Sequence, residues 1–213
     1  MKRLPSILLA AVILPGASMT ALAAPASANA TIVCDNTADT ALTGELDGTV
    51  VVPEGADCYI QDTTITGAFR AIHSPGVVSL INTNVLAKGG IFVKGATESV
   101  TIGTEGCLVD PYVGRNLKVF DSHNVAICEM SVRNNLMVKR STGRVMVRDN
   151  IACNNLKVTD NTVLGLRVFD NGYTRNKMIR RNTVANKTIV QNNVDTGQSV
   201  NECRAAILAV NGL

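Results

Sequence analysis

The chain contains no tryptophan, and aromatic residues make up only 3% of its 213 positions. A core must therefore be built from Val, Ile, Leu, Ala and Met, and no indole platform exists on which a sugar ring could stack. Soft metal ligands are scarce as well. No CxxC pair occurs, and only His73 and His123 could join the cysteines, which argues against a structural zinc site and leaves no cofactor implied. The sequence also lacks an Asp-Asp pair and a Gly-His-Gly, and beyond residue 30 it has no apolar run approaching the ~20 residues of a membrane span. Disorder is excluded in turn, because 46% of the residues are hydrophobic and only 17% are charged.

What is present begins with an address. Lys2 and Arg3 precede an apolar run over residues 7–14, and small residues follow. This is the pattern of a leader peptide, with cleavage after Ala24 or, by the Ala28-Asn29-Ala30 small-x-small signature, after Ala30. We take residues 1–30 as the leader and 31–213 as one domain. All six cysteines (Cys34, Cys58, Cys107, Cys128, Cys153 and Cys203) lie beyond that cut, and an even count in an exported chain reads as disulfides. Cys34 with Cys58 is the expected pair, closing an N-terminal segment. The expected location is extracellular or periplasmic, secreted or held at the cell envelope.

Charge is unevenly distributed along the chain. Residues 31–110 hold 3 basic and 10 acidic side chains, whereas residues 111–213 hold 15 basic and 7 acidic. Such polarity points to an anionic partner for the basic half, or to head-to-tail self-association. Nothing in it suggests nucleic acid.

The second half repeats itself. An apolar-x-(Val/Ile)-x-x-Asn unit recurs with anchors at Val147, Val158, Val168, Ile179 and Ile189, spaced alternately by 11 and 10 residues. Taking every second anchor gives one series at Val119, Val138, Val158 and Ile179, and a partner series at Ile127, Val147, Val168 and Ile189. Ile60, Leu80 and Ile102 extend the second series backwards. Around each anchor apolar and polar residues alternate, as in a strand with one buried face. A chain that coils every 20 or 21 residues, stacking each turn on the last, buries those apolar faces in a continuous interior with rungs ~4.8 Å apart. The expected fold class is therefore all-β: a single-stranded parallel β-helix with an N-terminal cap at residues 31–58, coils over about 59–200 and a C-terminal cap at 201–213. Asn three residues after each anchor is expected to turn the corner in the left-handed backbone region and to stack as a ladder.

The segment NLKVTDNTV at residues 155–163 resembles a rung of the secreted right-handed parallel β-helix repeat proteins, the pectate-lyase-like superfamily. The resemblance spans residues ~50–200 and implies a right-handed coil. It does not imply one activity, since related solenoids include polysaccharide lyases, glycoside hydrolases, epimerases, adhesins and phage tail proteins. The paired carboxylates of a glycosidase are absent. Of Asp149, Asp160 and Asp170 only Asp149 and Asp170 share a side of the coil, and two carboxylates make a poor calcium site. His73 and His123 each neighbour a serine, but adjacent strand residues point to opposite faces, so neither makes a nucleophile–base pair. The one departure from the period lies between Ile102 and Ile127, near residues 105–112, where Cys107 is placed to pair with Cys128.

Outward positions beside the first anchor series carry Lys118, Lys139, Lys157 and Arg180, with Arg140 and Arg181 at the edges. They are the candidate binding residues, forming a basic stripe for an acidic cell-wall or extracellular polysaccharide. The sequence thus reads as a non-catalytic structural or adhesive module, with a polysaccharide lyase or related carbohydrate-active enzyme as the alternative.

Overall fold

The computed structural model describes residues 30–86, 89–103 and 111–210. The chain winds into a parallel β-solenoid of about seven turns, with three faces. The first face stacks Thr31–Val33, Thr49–Val51, Phe69–Ala71, Ile91–Lys94, Leu117–Phe120, Leu136–Lys139, Asn155–Thr159 and Asn176–Arg180. The second stacks the longer strands, among them Cys58–Ile65, Val77–Val85, Ser99–Gly103, His123–Cys128, Thr142–Arg148, Thr162–Phe169 and Thr183–Gln191. Two-residue strands from Tyr112–Val113 to Val194–Asp195 make the third. Coil pairing already begins at Thr31, which pairs with Thr49, so residues 31–58 wind as part of the solenoid.

The anchors occupy the interior. Val119, Val138, Val158 and Ile179 pair in direct register on the first face, and Ile60, Leu80, Ile102, Ile127, Val147 and Val168 do so on the second. Except for Ile179, which is half-buried in the last coil, these side chains are essentially inaccessible. At ~1.5–3 kcal/mol for each fully buried aliphatic side chain, such columns dominate the stability. β-Branched residues suit them because their restricted χ1 matches the pleated wall. Ile189 departs from the expectation: it pairs with Arg167, while Val190 pairs with Val168. A register shift between Val163 and Gly165 admits one extra residue and displaces the anchor by one position.

The corners also differ from the sequence reading. At the other corners the left-handed residue is the one before the ladder residue, and the Asn itself points inward; only Asn192, three residues after Ile189, takes the left-handed position expected of it, with Asn193 beside it pointing inward. Asp121, Arg140, Asp160 and Arg181 take φ of 52, 53, 62 and 55° at the corner between the first and second faces. Glu129, Asp149, Asp170 and Asn192 take φ of 59, 55, 55 and 50° at the next. Each such turn costs about 1 kcal/mol for a residue with a Cβ. It also lifts a backbone N–H out of the strand ladder, and the buried Asn of the following coil supplies the acceptor. Asn150 Oδ1 receives the Met130 N–H at 3.0 Å, and Asn171 Oδ1 receives the Asn150 N–H at 3.1 Å. Side chains then link coil to coil, with Asn150 Nδ2 donating to Asn171 Oδ1 at 2.9 Å and Asn171 Nδ2 to Asn193 Oδ1 at 2.7 Å. A parallel ladder joins Asn161 Nδ2 to Asn182 Oδ1 at 2.8 Å.

Two disulfides fasten the structure. Cys34–Cys58 forms as expected, and Cys153–Cys203 ties the one α-helix of the described residues, Val200–Val210, to the solenoid. Ser199 and Glu202 begin that helix with reciprocal bonds to each other's N–H. The helix lies along the third face: Arg204 bonds to Arg133 O and Asn134 Oδ1, and Ile207 packs with Tyr112. Cys128 keeps a free, buried thiol whose pKa burial raises. Cys107 lies outside the described residues, as do residues 1–29.

Removing one ladder member tests the corners. Asn171→Ala leaves several buried groups without partners, at ~1–3 kcal/mol each before relaxation, so urea denaturation should report a loss of about 3 kcal/mol. Asn176→Ala, in an exposed position, should cost less than about 1 kcal/mol. Equal losses would mean that the ladder does not hold the corners. Val147→Asp should unfold the protein outright or cost several kcal/mol, with Met146→Asp on the outer side far milder.

Candidate polyanion-binding surfaces

Outward positions of the first face fall into two adjacent columns. The column preceding the anchors runs Arg70, Phe92, Lys118, Met137, Lys157, Met178. The column following them runs Lys94, Phe120, Lys139, Thr159, Arg180. Lys118 and Lys157 therefore stand in one column, and Lys139 and Arg180 in the other. The expected single stripe is a zigzag instead. Each coil from Arg70 to Arg180 contributes one cation, on alternating sides, and neither column contains a carboxylate.

This alternation has a physical basis. Cations stacked in one column would stand ~4.8 Å apart, whereas alternation across positions i and i+2 lengthens the separation to ~8 Å, near the screening length in physiological salt. Repulsion falls while the positive line is kept. The positions opposite Lys94, Lys118, Lys139 and Arg180 are filled by Phe92, Phe120, Met137 and Met178, all half-buried, and that opposite Lys157 by the buried Thr159. Phe92 and Phe120 meet edge to face with centroids 5.6 Å apart, and the Arg140 guanidinium sits 5.7 Å from the Phe120 centroid. Although tryptophan is absent, this face has a small aromatic platform among its cations.

Arg140 and Arg181 occupy the corner and are engaged there. Arg140 clasps Asp121 with bonds of 2.6 and 3.0 Å, and Arg181 holds Asp160 in the same way at 2.6 and 3.0 Å. Arg140 beside Asp121, and Arg181 beside Asp160, hold both carboxyls below the usual aspartate range. The corner is thus close to charge-neutral, and the six strand cations of the zigzag enter no salt bridge among the described residues.

Sequence reasoning missed Arg70, Phe92, Lys94 and Phe120 as part of this face. The step from Val93 to Val119 is 26 residues, because the longer connection before residue 111 falls within it, and that breaks the period which would have revealed them.

The second face carries a different surface. Its strands bend where Asn124 takes φ 44° and Gly143 takes φ 69°, and the bend encloses a groove of about 820 Å³. Gly143 is required there, since a Cβ would lie 2.4 Å from Asn124 Oδ1 and 2.7 Å from the His123 ring. Arg144, Arg167 and Lys187 line the groove with Met146 and Leu164, and no acidic side chain does. His123 stands at its edge with Nδ1 3.0 Å from Thr142 Oγ1. Its neighbour Ser122 is buried, donating to Phe120 O and accepting from Ala96 N–H. His73 and Ser74 are exposed in a turn. Asp149 and Asp170 do occupy equivalent corner positions, but Asp149 is bonded to Arg148 at 2.7 Å. No group of three metal-ligating side chains occurs among the described residues.

The corner pairs make a pH prediction. Their carboxyls titrate below the unfolded aspartate value, so each pair stabilises the fold above the ordinary aspartate range, and that contribution is lost as pH falls through the lowered folded value. Exposure keeps the effect small. In Arg140→Gln, a carboxyl-carbon NMR titration should show Asp121 moving up toward the ordinary aspartate value of ~3.9 while Asp160 stays low.

Compared with protein-family models, with curated proteins and with solved structures, the chain matches none.

Proposed function

We propose that this protein is an exported, non-catalytic β-solenoid that holds an extended acidic polymer at the cell envelope and serves there as a structural or adhesive module. One observation carries the reading: a face that presents one cation per coil over six successive coils, none of them salt-bridged among the described residues and with no carboxylate in their two columns. A regular line of like charge suits a partner that is itself a regular line of opposite charge, such as a uronic-acid or teichoic-acid chain. The apolar residues between the cations offer contact to the uncharged parts of such a polymer. Export is supported by the leader-like residues 1–30 and by two disulfides. The resemblance of residues 155–163 to pectate-lyase-like rungs favours a polysaccharide as the polymer class.

The second-face groove favours a second reading, a polysaccharide lyase or related carbohydrate-active enzyme, because it concentrates Arg144, Arg167, Lys187 and His123 without a carboxylate. Incubation with acidic polysaccharides, with and without Ca²⁺, separates the two: release of unsaturated sugars supports the enzyme and overturns the module.

For the leading reading, retention on immobilised polygalacturonate should weaken steeply as ionic strength rises past ~0.15 M, where exposed charges are screened beyond ~8 Å. Lys139→Glu with Lys157→Glu should lower affinity on the order of tenfold or more, equivalent to at least ~1.4 kcal/mol, without altering the melting temperature. Reversal of Arg144 and Arg167 in the groove should do less. Equal losses from both double variants would mean diffuse charge attraction and no zigzag site.

A further inference from the structure

The two ends of the solenoid are unfinished in complementary ways. Among the described residues, Thr31–Val33 and Leu42–Leu46 at one end each pair with a single neighbouring strand, and so do Asn176–Arg180, Thr183–Gln191 and Val194–Asp195 at the other. Each end thus exposes a row of backbone N–H and C=O groups. The helix that could have covered the last coil lies along the third face instead. Apolar residues at both ends are only half enclosed: Ile32, Leu42 and Leu46 at the first, Ile179 and Val184 at the last. Val190 is 43% exposed, although Val168 and Val147, the equivalent positions of the preceding coils, are shut away.

Charge distinguishes the two ends. Residues 31–69 carry seven carboxylates and no cation, whereas residues 172–195 carry five cations and one carboxylate, Asp195. Lys177 is informative here, because it stands below Leu156 in what is an interior leucine column of the preceding coils. Its ammonium lies 5.9 Å from the Tyr173 centroid and 3.4 Å from Asn193 O, at the open end. Lys187 continues the column of Arg144 and Gly165 on the same last coil.

We infer that the partner of each open end is a second copy of this chain, docked head to tail. The strands of the last coil continue the parallel stacking onto Thr31–Val33 and Leu42–Leu46 of the next molecule, and the half-enclosed apolar residues of the two ends meet. Like charges disfavour first end against first end and last end against last end, which leaves the head-to-tail arrangement. Such a contact is heterologous and closes no ring when its axis is straight, so it propagates along a line. The inference stands apart from the polymer-binding reading, since it rests on the ends and not on the first face.

The test uses protein recovered from cells expressing the full chain. By sedimentation velocity at low salt, the weight-average mass should rise with concentration, roughly doubling or more across the series, and should fall back as salt is raised. One variant carries Lys177→Glu and Lys187→Glu, which lowers the net charge of residues 172–195 from +4 to 0; another carries Asp39→Lys and Glu45→Lys, which lowers that of residues 31–69 from −7 to −3. Each alone should show a much weaker concentration dependence, and an equimolar mixture should regain association, because the unaltered last end of the second variant then meets the unaltered first end of the first. A wild-type protein that stays monomeric throughout the series overturns the inference whatever the variants do. So does association of either variant undiminished, or a mixture of two folded variants, verified by circular dichroism, that fails to recover.

Discussion

Register between coils is the constraint on which this structure depends. In a parallel solenoid every strand hydrogen-bonds to the equivalent strand above and below, so each coil must trace nearly the same path as its neighbours. Interior columns follow, because a residue of the wrong size at one level disturbs two others. Corners follow as well. A turn taken through a left-handed residue has to be repeated at every level, and the N–H that it frees must find an acceptor at every level. The inward Asn at residues 150, 171 and 193 meets that requirement, and Asp, Asn and even Arg tolerate the left-handed position beside it. The local cost of the turn is offset by a ladder that exists only when the coils are stacked.

The same constraint explains what could be read from the sequence. Interior columns repeat because register demands it, so Val119 through Ile179 and Ile60 through Val168 were legible from spacing alone. The corner Asn was legible as a ladder, but except at Asn192 its backbone role was displaced by one residue, since side-chain spacing does not say which of two neighbours takes a positive φ. Ile189 was misplaced because a single extra residue at the second-face bend leaves no trace in composition. The pairing of Arg140 and Arg181 with Asp121 and Asp160 was hidden for a related reason: those partners lie 19 and 21 residues away and become neighbours only once the coils are in register. The zigzag was half legible, since strand alternation places Lys118 and Lys139 outward without revealing that they stand on opposite sides of the anchor.

Outward residues escape the rule of repetition, and the candidate surfaces are made from them. The fold fixes where a side chain projects, every ~4.8 Å along the axis, and leaves its identity free. On the first face that freedom is used for a regular line of positive charge. On the second it is used for a bend with a cationic lining, at the cost of a glycine at position 143 and a break in register. Flatness and concavity thus arise from one architecture through the presence or absence of a bulge.

The bridge from Cys203 to Cys153 has a mechanical consequence. A tension applied at the C-terminus travels through the covalent link to a coil that lies inboard of the last strands, and Arg204 shares it with the coil before. The terminal coils between residues 155 and 195 lie within the closed loop and bear little of the load. Peeling from the end, the easiest way to unwind a stacked helix, is thereby replaced by a pull across several rungs at once. An anchored rod of this kind resists stretching from its tail more strongly than the pairing of its final strands alone would allow.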